Sequence, residues 1–168
     1  AGADGGAASA ADGPCFDGAS RLDGLAETSC TVTVTRSEVS PHVATVGIVS
    51  FTTDLIAPTA AEIHFGRDTS YGLVAPVDLT AEGYRTLLLG MTENRTHHYR
   101  VAVSDGTSVC YGEDRAIETG SLGSRALAQA STREGAAPGF IVTSRDQEAV
   151  IFNEQGELVW AYPMWNVF

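Results

Sequence analysis

The sequence predicts an all-β protein, in which a β-sandwich is followed by the first strands of a second, incomplete β-unit. Short runs such as "TVTVT" alternate apolar and polar residues with period two, as half-buried strands do. Turn-forming residues separate seven such runs within about 90 residues, which is typical of a β-sandwich. Apolar residues make up 43% of the 168 residues, enough to build a core.

Residues 1–29 precede the first predicted strand. Their first part, "AGADGGAASAADGP", has almost nothing to bury and predicts a flexible tether. Cys15 and Cys30 flank a polar loop, and a bridge between them would staple this segment to the sandwich. Cys30 with Cys110 is the alternative pairing, if the first and last strands of the sandwich run side by side. A bridge favours an exported location, because disulfides persist in oxidising compartments.

The sandwich is predicted over residues 30–119. The run "ATVGIVSFTT" is apolar on both faces and so predicts a central strand, whereas Pro76 in "LVAPVDL" suits an edge. Asp105 and Gly106 predict a hairpin turn. The run "GYRTLLLGM" would place Leu87, Leu89 and Met91 on one face. The predicted core consists of Phe51, Ile63, Phe65, Leu87, Leu89, Tyr99 and Val101.

Residues 120–137 carry no strand pattern and predict a linker. Residues 138–168 then contain three strands, "GFIVTS", "EAVIFN" and "ELVWAYP", and Gly156 supplies a positive φ at the second turn. Leu158, Trp160 and Tyr162 are expected on one face of the last strand, with Trp160 in the core. Three strands leave an apolar patch uncovered, so we expect this unit to dock on the sandwich or to self-associate.

The stretches "SFTTD", "EIHFG" and "LLLGMTENRTHHYRVAV" resemble a fibronectin type III domain, an immunoglobulin-like β-sandwich. The variety is the one that precedes purple acid phosphatases and arylsulfotransferases. Phe51 matches the core aromatic of the second strand, and Phe65 with Gly66 matches the end of the third. Met91, Glu93 and His97 stand where the family has Leu, Pro and a corner Tyr, so the resemblance is weaker there.

The resemblance implies that His97 ties its strand to the preceding turn through a ring N–H, as the corner Tyr does through its hydroxyl. A metal or catalytic role for His97 with His98 is the alternative. Neighbouring residues of a strand point to opposite faces, so the two rings cannot easily hold one ion. The sequence therefore indicates no catalytic residue, no metal site and no cofactor.

The segment "AVIFNEQGELVWAYP" resembles the opening blade of the arylsulfotransferase β-propeller, through Val150, Ile151, Asn153, Gly156, Leu158, Val159 and Trp160. That family moves a sulfuryl group between phenols without a nucleotide donor, through a transiently sulfated histidine. None of the histidines His42, His64, His97 and His98 matches it. The resemblance implies a non-catalytic N-terminal fragment of an exported bacterial protein, whose partners are its remaining propeller blades. The low-complexity tether is also common in a lipoprotein, just after the cleavage site.

Charge and hydropathy exclude two classes of partner. A net charge of -11, with no lysine and no basic run, argues against binding nucleic acid. No run of about 18 apolar residues is present, so no transmembrane segment is expected. A non-enzymatic surface or adhesive module that pairs through exposed strands is an alternative function. A purple acid phosphatase N-terminal domain is another, disfavoured because "TSRDQEAVIFNEQG" lacks the Gly-Asp pair of that family.

Overall fold

The computed structural model describes residues 20–123, 139–145 and 147–163, and these residues form three β-sheets. The predicted tether and most of the predicted linker lie outside the described residues. The strands are β1 Ala26–Glu27, β2 Val32–Val39, β3 Gly47–Thr53, β4 Ala60–Gly66, β5 Leu73–Pro76, β6 Thr86–Leu88, β7 Thr96–Ser104, β8 Ser108–Tyr111, β9 Arg115–Glu118, β10 Ile141–Arg145, β11 Glu148–Phe152 and β12 Leu158–Pro163. A short 3-10 turn, Glu82–Tyr84, precedes β6.

Two of the sheets face each other as a sandwich. The larger has the strand order β1-β8-β7-β4-β5, with β9 also paired to β7, and the smaller has the order β2-β3-β6. Pairing is antiparallel except between β1 and β8. The apolar strand β3 is central and β5, with Pro76, is at an edge, as the sequence predicts. The all-β, sandwich-like fold class is therefore confirmed.

The core between these two sheets is built from alternate residues of facing strands. Five of the predicted core side chains are at most 2% exposed: Phe51, Ile63, Phe65, Tyr99 and Val101. Fully burying one large apolar side chain contributes about 1.5–3 kcal/mol to the free energy of unfolding. These residues therefore supply much of what holds the two sheets together.

Two predicted core residues are wrong. Leu87 is 39% exposed and Leu89 is 54% exposed, whereas their neighbour Leu88 is fully buried. The strand β6 ends at Leu88, and Gly90 then turns with a φ of 106°, so the period-two pattern cannot be continued from Leu87 to Met91. Met91 is buried all the same, because the turn at Gly90 returns the chain to the core.

The hairpin between β7 and β8 forms at the predicted turn. Gly106 has a φ of 94°, and the Asp105 N–H donates to the Ser108 carbonyl at 3.3 Å. The backbone N–H groups of Thr107 and Ser108 donate to the Asp105 carboxylate, which lowers the pKa of Asp105 to about 2. The carboxylate of Asp105 thus accepts hydrogen bonds from two backbone N–H groups in the turn, which have no strand partner there.

The disulfide joins Cys30 to Cys110, with 5.8 Å between their Cα atoms. This corrects the preferred pairing of Cys15 with Cys30, and Cys15 lies outside the described residues. Cys30 precedes β2 and Cys110 lies in β8, near the two ends of the sandwich in sequence. Because these strands belong to different sheets, the bridge links the two layers of the sandwich at one end.

The third sheet, here called the C-terminal sheet, has the strand order β10-β11-β12 and is antiparallel throughout, as predicted. A register shift beside Ile151 and Phe152 pairs Ile151 with Trp160 but Phe152 with Leu158. Leu158 therefore faces away from Trp160, contrary to expectation, since a bulge reverses the facing of the residues beyond it. A buried cluster forms on the Leu158 face: Val150, Phe152, Leu158 and Ala161. Trp160 is half-buried, so its assignment to the core is also corrected.

Candidate interaction site: the contact between the sandwich and the C-terminal sheet

The C-terminal sheet lies against the sandwich through a small set of direct contacts, here called the docking interface. The first is buried and polar. Thr45, which is fully buried, donates from Oγ1 to the carbonyl of Val159 at 2.6 Å. Val159 is the residue left unpaired by the register shift in β12, and its carbonyl would otherwise be buried without a partner. The bulge thus supplies the acceptor, and the sandwich supplies the donor.

A close backbone approach makes the second contact. The ring of Phe140 lies over Gly90, so close that a Cβ atom at Gly90 would stand 2.8 Å from Cζ of Phe140. Gly90 also has a φ of 106°, which favours glycine on its own account. Glycine at this position therefore serves both the turn after β6 and the packing of Phe140.

The third contact is an ion pair between Arg67, after β4, and Glu157, before β12. Both side chains are a third to a half exposed, so the pair contributes about 0–1 kcal/mol to the free energy of unfolding. Glu157 is also held by Nδ2 of Asn153 at 2.9 Å. The pair orients the turn between β11 and β12 more than it stabilises the contact.

The chain that leaves the sandwich takes part as well. The carboxylate of Glu93 accepts from the N–H of Leu122 at 2.8 Å and from the Ser121 hydroxyl at 3.3 Å. Leu122 then packs against the buried cluster of the C-terminal sheet. Glu93 stands where the resembled family has a proline, and a proline could not supply this acceptor.

A groove with a volume of about 360 Å³ remains between the two parts. Apolar side chains of the sandwich line it, including the exposed Leu87 and Leu89, and Trp160 lines it from the C-terminal sheet. Arg36, Arg85 and His42 also line it. The two leucines misassigned to the core are therefore part of the surface that faces the C-terminal sheet.

A polar and aromatic cluster occupies the opposite, outer face of the larger sheet. The guanidinium of Arg100 lies between the rings of Tyr71 and Tyr111, at 5.0 Å and 4.1 Å from their centroids. Asp114 accepts from the Tyr71 hydroxyl at 3.0 Å and from Nδ1 of His98 at 2.9 Å, and the His98 bond is the main cause of the lowered pKa of Asp114. These contacts are cation–π and charge-assisted hydrogen bonds of the kind that hold a sheet surface together.

The same outer face is covered near its edge by the segment before β1. Glu62 is buried, and its carboxylate accepts from the Ser20 hydroxyl at 2.7 Å and from the Arg21 N–H at 3.1 Å. His64 is buried beside it, with Nε2 at 3.4 Å from the Glu62 carboxylate. Within residues 20–123, 139–145 and 147–163, no three potential metal-ligating side chains converge. The two hydrogen bonds to the Glu62 carboxylate hold Ser20 and Arg21 on the sheet.

His97 and His98 point to opposite faces of β7. His97 is 2% exposed and its Nε2 accepts from the Thr92 N–H at 3.2 Å, whereas His98 pairs with Asp114 on the outer face. The ring of His97 does tie the strand to the turn before it, but as an acceptor and not through an N–H. Burial lowers the pKa of His97, which keeps the ring neutral and suited to this role.

No protein-family model matches the chain, and comparison with curated proteins gives no significant match. No helix in the described part of the chain has the length and apolar character needed to cross a membrane. The class of protein is therefore defined by the geometry alone. It is an all-β protein in which a two-layer sandwich holds a three-stranded sheet at its side.

Sequence reasoning missed the residues that make the docking interface. Thr45, Arg67 and Glu157 lie far apart in the chain and carry no local signal for their partners. Gly90 did carry one, because an isolated glycine within a strand pattern often marks a close backbone approach. The contact with Phe140 is such an approach.

Proposed function

We propose that the chain is the N-terminal, non-catalytic part of an exported arylsulfotransferase-like protein, in which the sandwich holds the first blade of a β-propeller in place. The observation that carries the proposal is the antiparallel β10-β11-β12 sheet docked against the sandwich. A propeller blade is an antiparallel sheet of four strands, usually linked in chain order. The C-terminal sheet has this connectivity and three of the strands.

Two further observations support the proposal. The sandwich sets β2-β3-β6 against a six-stranded sheet that contains the path β8-β7-β4-β5, and the order of these seven strands suits the fibronectin type III resemblance. The Cys30–Cys110 disulfide suits an exported protein, because such bridges form in oxidising compartments. In this role the sandwich acts as a spacer and a support.

The test compares two proteins. The first is residues 1–168, and the second is the full product of the gene, expressed with export. Both are assayed with 4-nitrophenyl sulfate as donor and phenol as acceptor, following release of 4-nitrophenol and formation of phenyl sulfate. We expect transfer by the full product and none by residues 1–168. The expectation for residues 1–168 follows from the resemblance, in which the transiently sulfated histidine lies in later blades.

Either of two results would count against the proposal. One is no sulfuryl transfer by the full product on any phenolic acceptor. The other is transfer by residues 1–168 that is lost in H97Q or H98Q. The second result would place the chemistry in this chain.

A non-enzymatic surface module is the second candidate function. One observation favours it: residues 140–142, at the start of β10 and just before it, expose Phe140, Ile141 and Val142 to 39%, 49% and 71%. Apolar side chains along a sheet edge invite pairing with another strand. Full-length protein that assembles on cell surfaces but transfers no sulfate would favour this candidate.

A further inference from the structure

The groove between the sandwich and the C-terminal sheet has an apolar lining with basic side chains beside it. On the sandwich it lies over the outer face of β2-β3-β6, where Ile48 of β3 is paired with Leu87 of β6. Arg85 lies in extended backbone two residues before Leu87, so the two side chains point to the same face. Trp160 lines the groove from the other side. The volume of about 360 Å³ is in the range of small-molecule sites.

The ionisable side chains that line the groove are all basic. Arg36, His42 and Arg85 line it, and among the described residues no carboxylate does. The protein has 21 acidic side chains against 10 arginines and no lysine, so this lining runs against the overall composition. Arg36 is ion-paired with Glu38, whereas Arg85 forms no ion pair with a described residue. The guanidinium of Arg85 is therefore available to an anion.

Hydrogen bonds fix the turn between β2 and β3, which forms one end of the groove. The N–H of His42 donates to the Ser40 hydroxyl at 3.2 Å, and the N–H of Ser40 donates to the Val46 carbonyl at 2.7 Å. The N–H of Val46 donates in turn to the Val43 carbonyl at 3.0 Å. Val43 and Val46 are buried and line the groove. This part of the site is preformed, as is usual where small molecules bind.

The apolar part of the groove suits a flat ring. The ring of Trp160 stacks on that of Tyr162, with 5.8 Å between the centroids and 20° between the planes. Leu87 and Leu89, which also line the groove, remain 39% and 54% exposed. An aromatic ring placed against the leucines and Trp160 would remove apolar surface from water on both sides.

We propose that this groove binds a small aromatic carboxylate. The ring lies against Leu87, Leu89 and Trp160, and the carboxylate accepts hydrogen bonds from the guanidinium of Arg85, whose fork matches two carboxylate oxygens. An uncharged ligand would gain no ion pair with Arg85, and a cationic one would be repelled by the basic lining. The inference is independent of the arylsulfotransferase proposal, because it concerns binding to this chain and not transfer.

The experiment is an NMR titration of ¹⁵N-labelled residues 1–168, with the disulfide intact. The ligand is indole-3-carboxylate, and indole-3-carboxamide is the uncharged ligand of matched shape. We expect indole-3-carboxylate to shift the indole N–H of Trp160, assigned with W165F, and the amides of residues 85–89. A ligand of this size at ordinary efficiency binds with a Kd of about 1 mM. The carboxamide should bind about fivefold more weakly or less well still, because it makes no charge-assisted bond.

Three variants test the two parts of the site. R85Q should weaken binding of the carboxylate about fivefold or more and leave the carboxamide unchanged. R95Q is the matched control, because Arg95 is exposed before β7, does not line the groove and carries the same charge. It should leave both ligands unchanged. L89N should weaken both ligands, since it removes apolar surface from the groove. Circular dichroism checks that the variants fold.

Each other outcome overturns the inference. No shift at Trp160 with the carboxylate at about ten times the expected Kd means that the groove takes no such ligand. Equal binding of carboxylate and carboxamide means that only apolar contact is at work. Equal weakening in R85Q and R95Q means that the ligand responds to overall charge and not to Arg85. Unchanged binding in L89N means that the ring lies elsewhere.

Discussion

Phe51 and Leu89 have the same apolar character in the sequence but opposite environments in the fold. Phe51 is fully buried between the two sheets of the sandwich, whereas Leu89 is 54% exposed. We expect F51A to lower the free energy of unfolding by about 3–5 kcal/mol, because it removes a buried ring and leaves a cavity. L89A should change it by less than about 1 kcal/mol. Urea denaturation of both variants measures the difference, and equal effects would contradict the core described for β3 and β6.

His97 should make the stability depend on pH. Burial lowers the pKa of His97 below that of a histidine in the unfolded chain, about 6.5. Between these two pKa values the unfolded chain binds one more proton than the native state, so stability is lost as the pH falls below about 6.5. The slope for one proton is at most about 1.4 kcal/mol per pH unit.

Denaturation of the wild type and H97Q from pH 7.5 to 5 tests this dependence. Glutamine retains an acceptor for the Thr92 N–H but takes up no proton, so the H97Q curve should be flatter in this range. H42Q is the control, because His42 is exposed in a turn. A wild-type slope that H97Q leaves unchanged would show that the pKa of His97 is the same in the folded and unfolded chain.

At the scale of elements, the docking interface depends on Gly90. G90A should destabilise the protein in two ways, through the positive φ and through the clash with Phe140. G72A is the matched control, since Gly72 has a φ of 88° and open space around the Cβ position. We expect G90A to increase hydrogen exchange in residues 139–163, and G72A to leave that exchange unchanged. An equal increase in exchange in both variants would mean that the contact between Gly90 and Phe140 does not stabilise the C-terminal sheet.

The strands were predictable from the sequence because their signal is local. Alternation located β2, β4 and β7, and Pro76 marked the edge strand β5. Alternation cannot show which residues face the core where neighbouring residues are all apolar. Leu87, Leu88 and Leu89 are such a run, since either Leu88 or its two neighbours could point inward. Alternation also fails at a bulge, since no local feature of "ELVWAYP" shows that Val159 leaves the ladder.

The candidate site was less predictable than the strands. The sequence indicated that the C-terminal sheet needs a cover, because its apolar residues exceed what three strands can bury. It did not identify Thr45 or Arg67 as the residues that meet it. These contacts depend on how two folded parts are placed, and that placement is set by residues more than 80 positions apart.

At the scale of the whole molecule, the disulfide is the largest single constraint on the unfolded chain. It closes a loop with a sequence separation of 80 residues. In the chain-entropy account, such a bridge stabilises the fold by about 4.5 kcal/mol. C30S with C110S should lose roughly that amount, and C15S should lose none. Thermal unfolding with and without reductant measures it. A loss in C15S equal to that of the double variant would favour the pairing with Cys15.

The same bridge sets how the protein responds to force. When the chain is pulled from outside residues 30 and 110, tension passes from one cysteine to the other and bypasses the strands between them. The 80 residues of that loop, about 270 Å of extended chain, cannot lengthen while the bridge is intact. Under load the strands from β2 to β7, which lie between the two cysteines, are expected to act as a short, stiff link, whereas β1 and β9 lie outside the loop. The C-terminal sheet, outside the loop and held by few contacts, is the part that yields first.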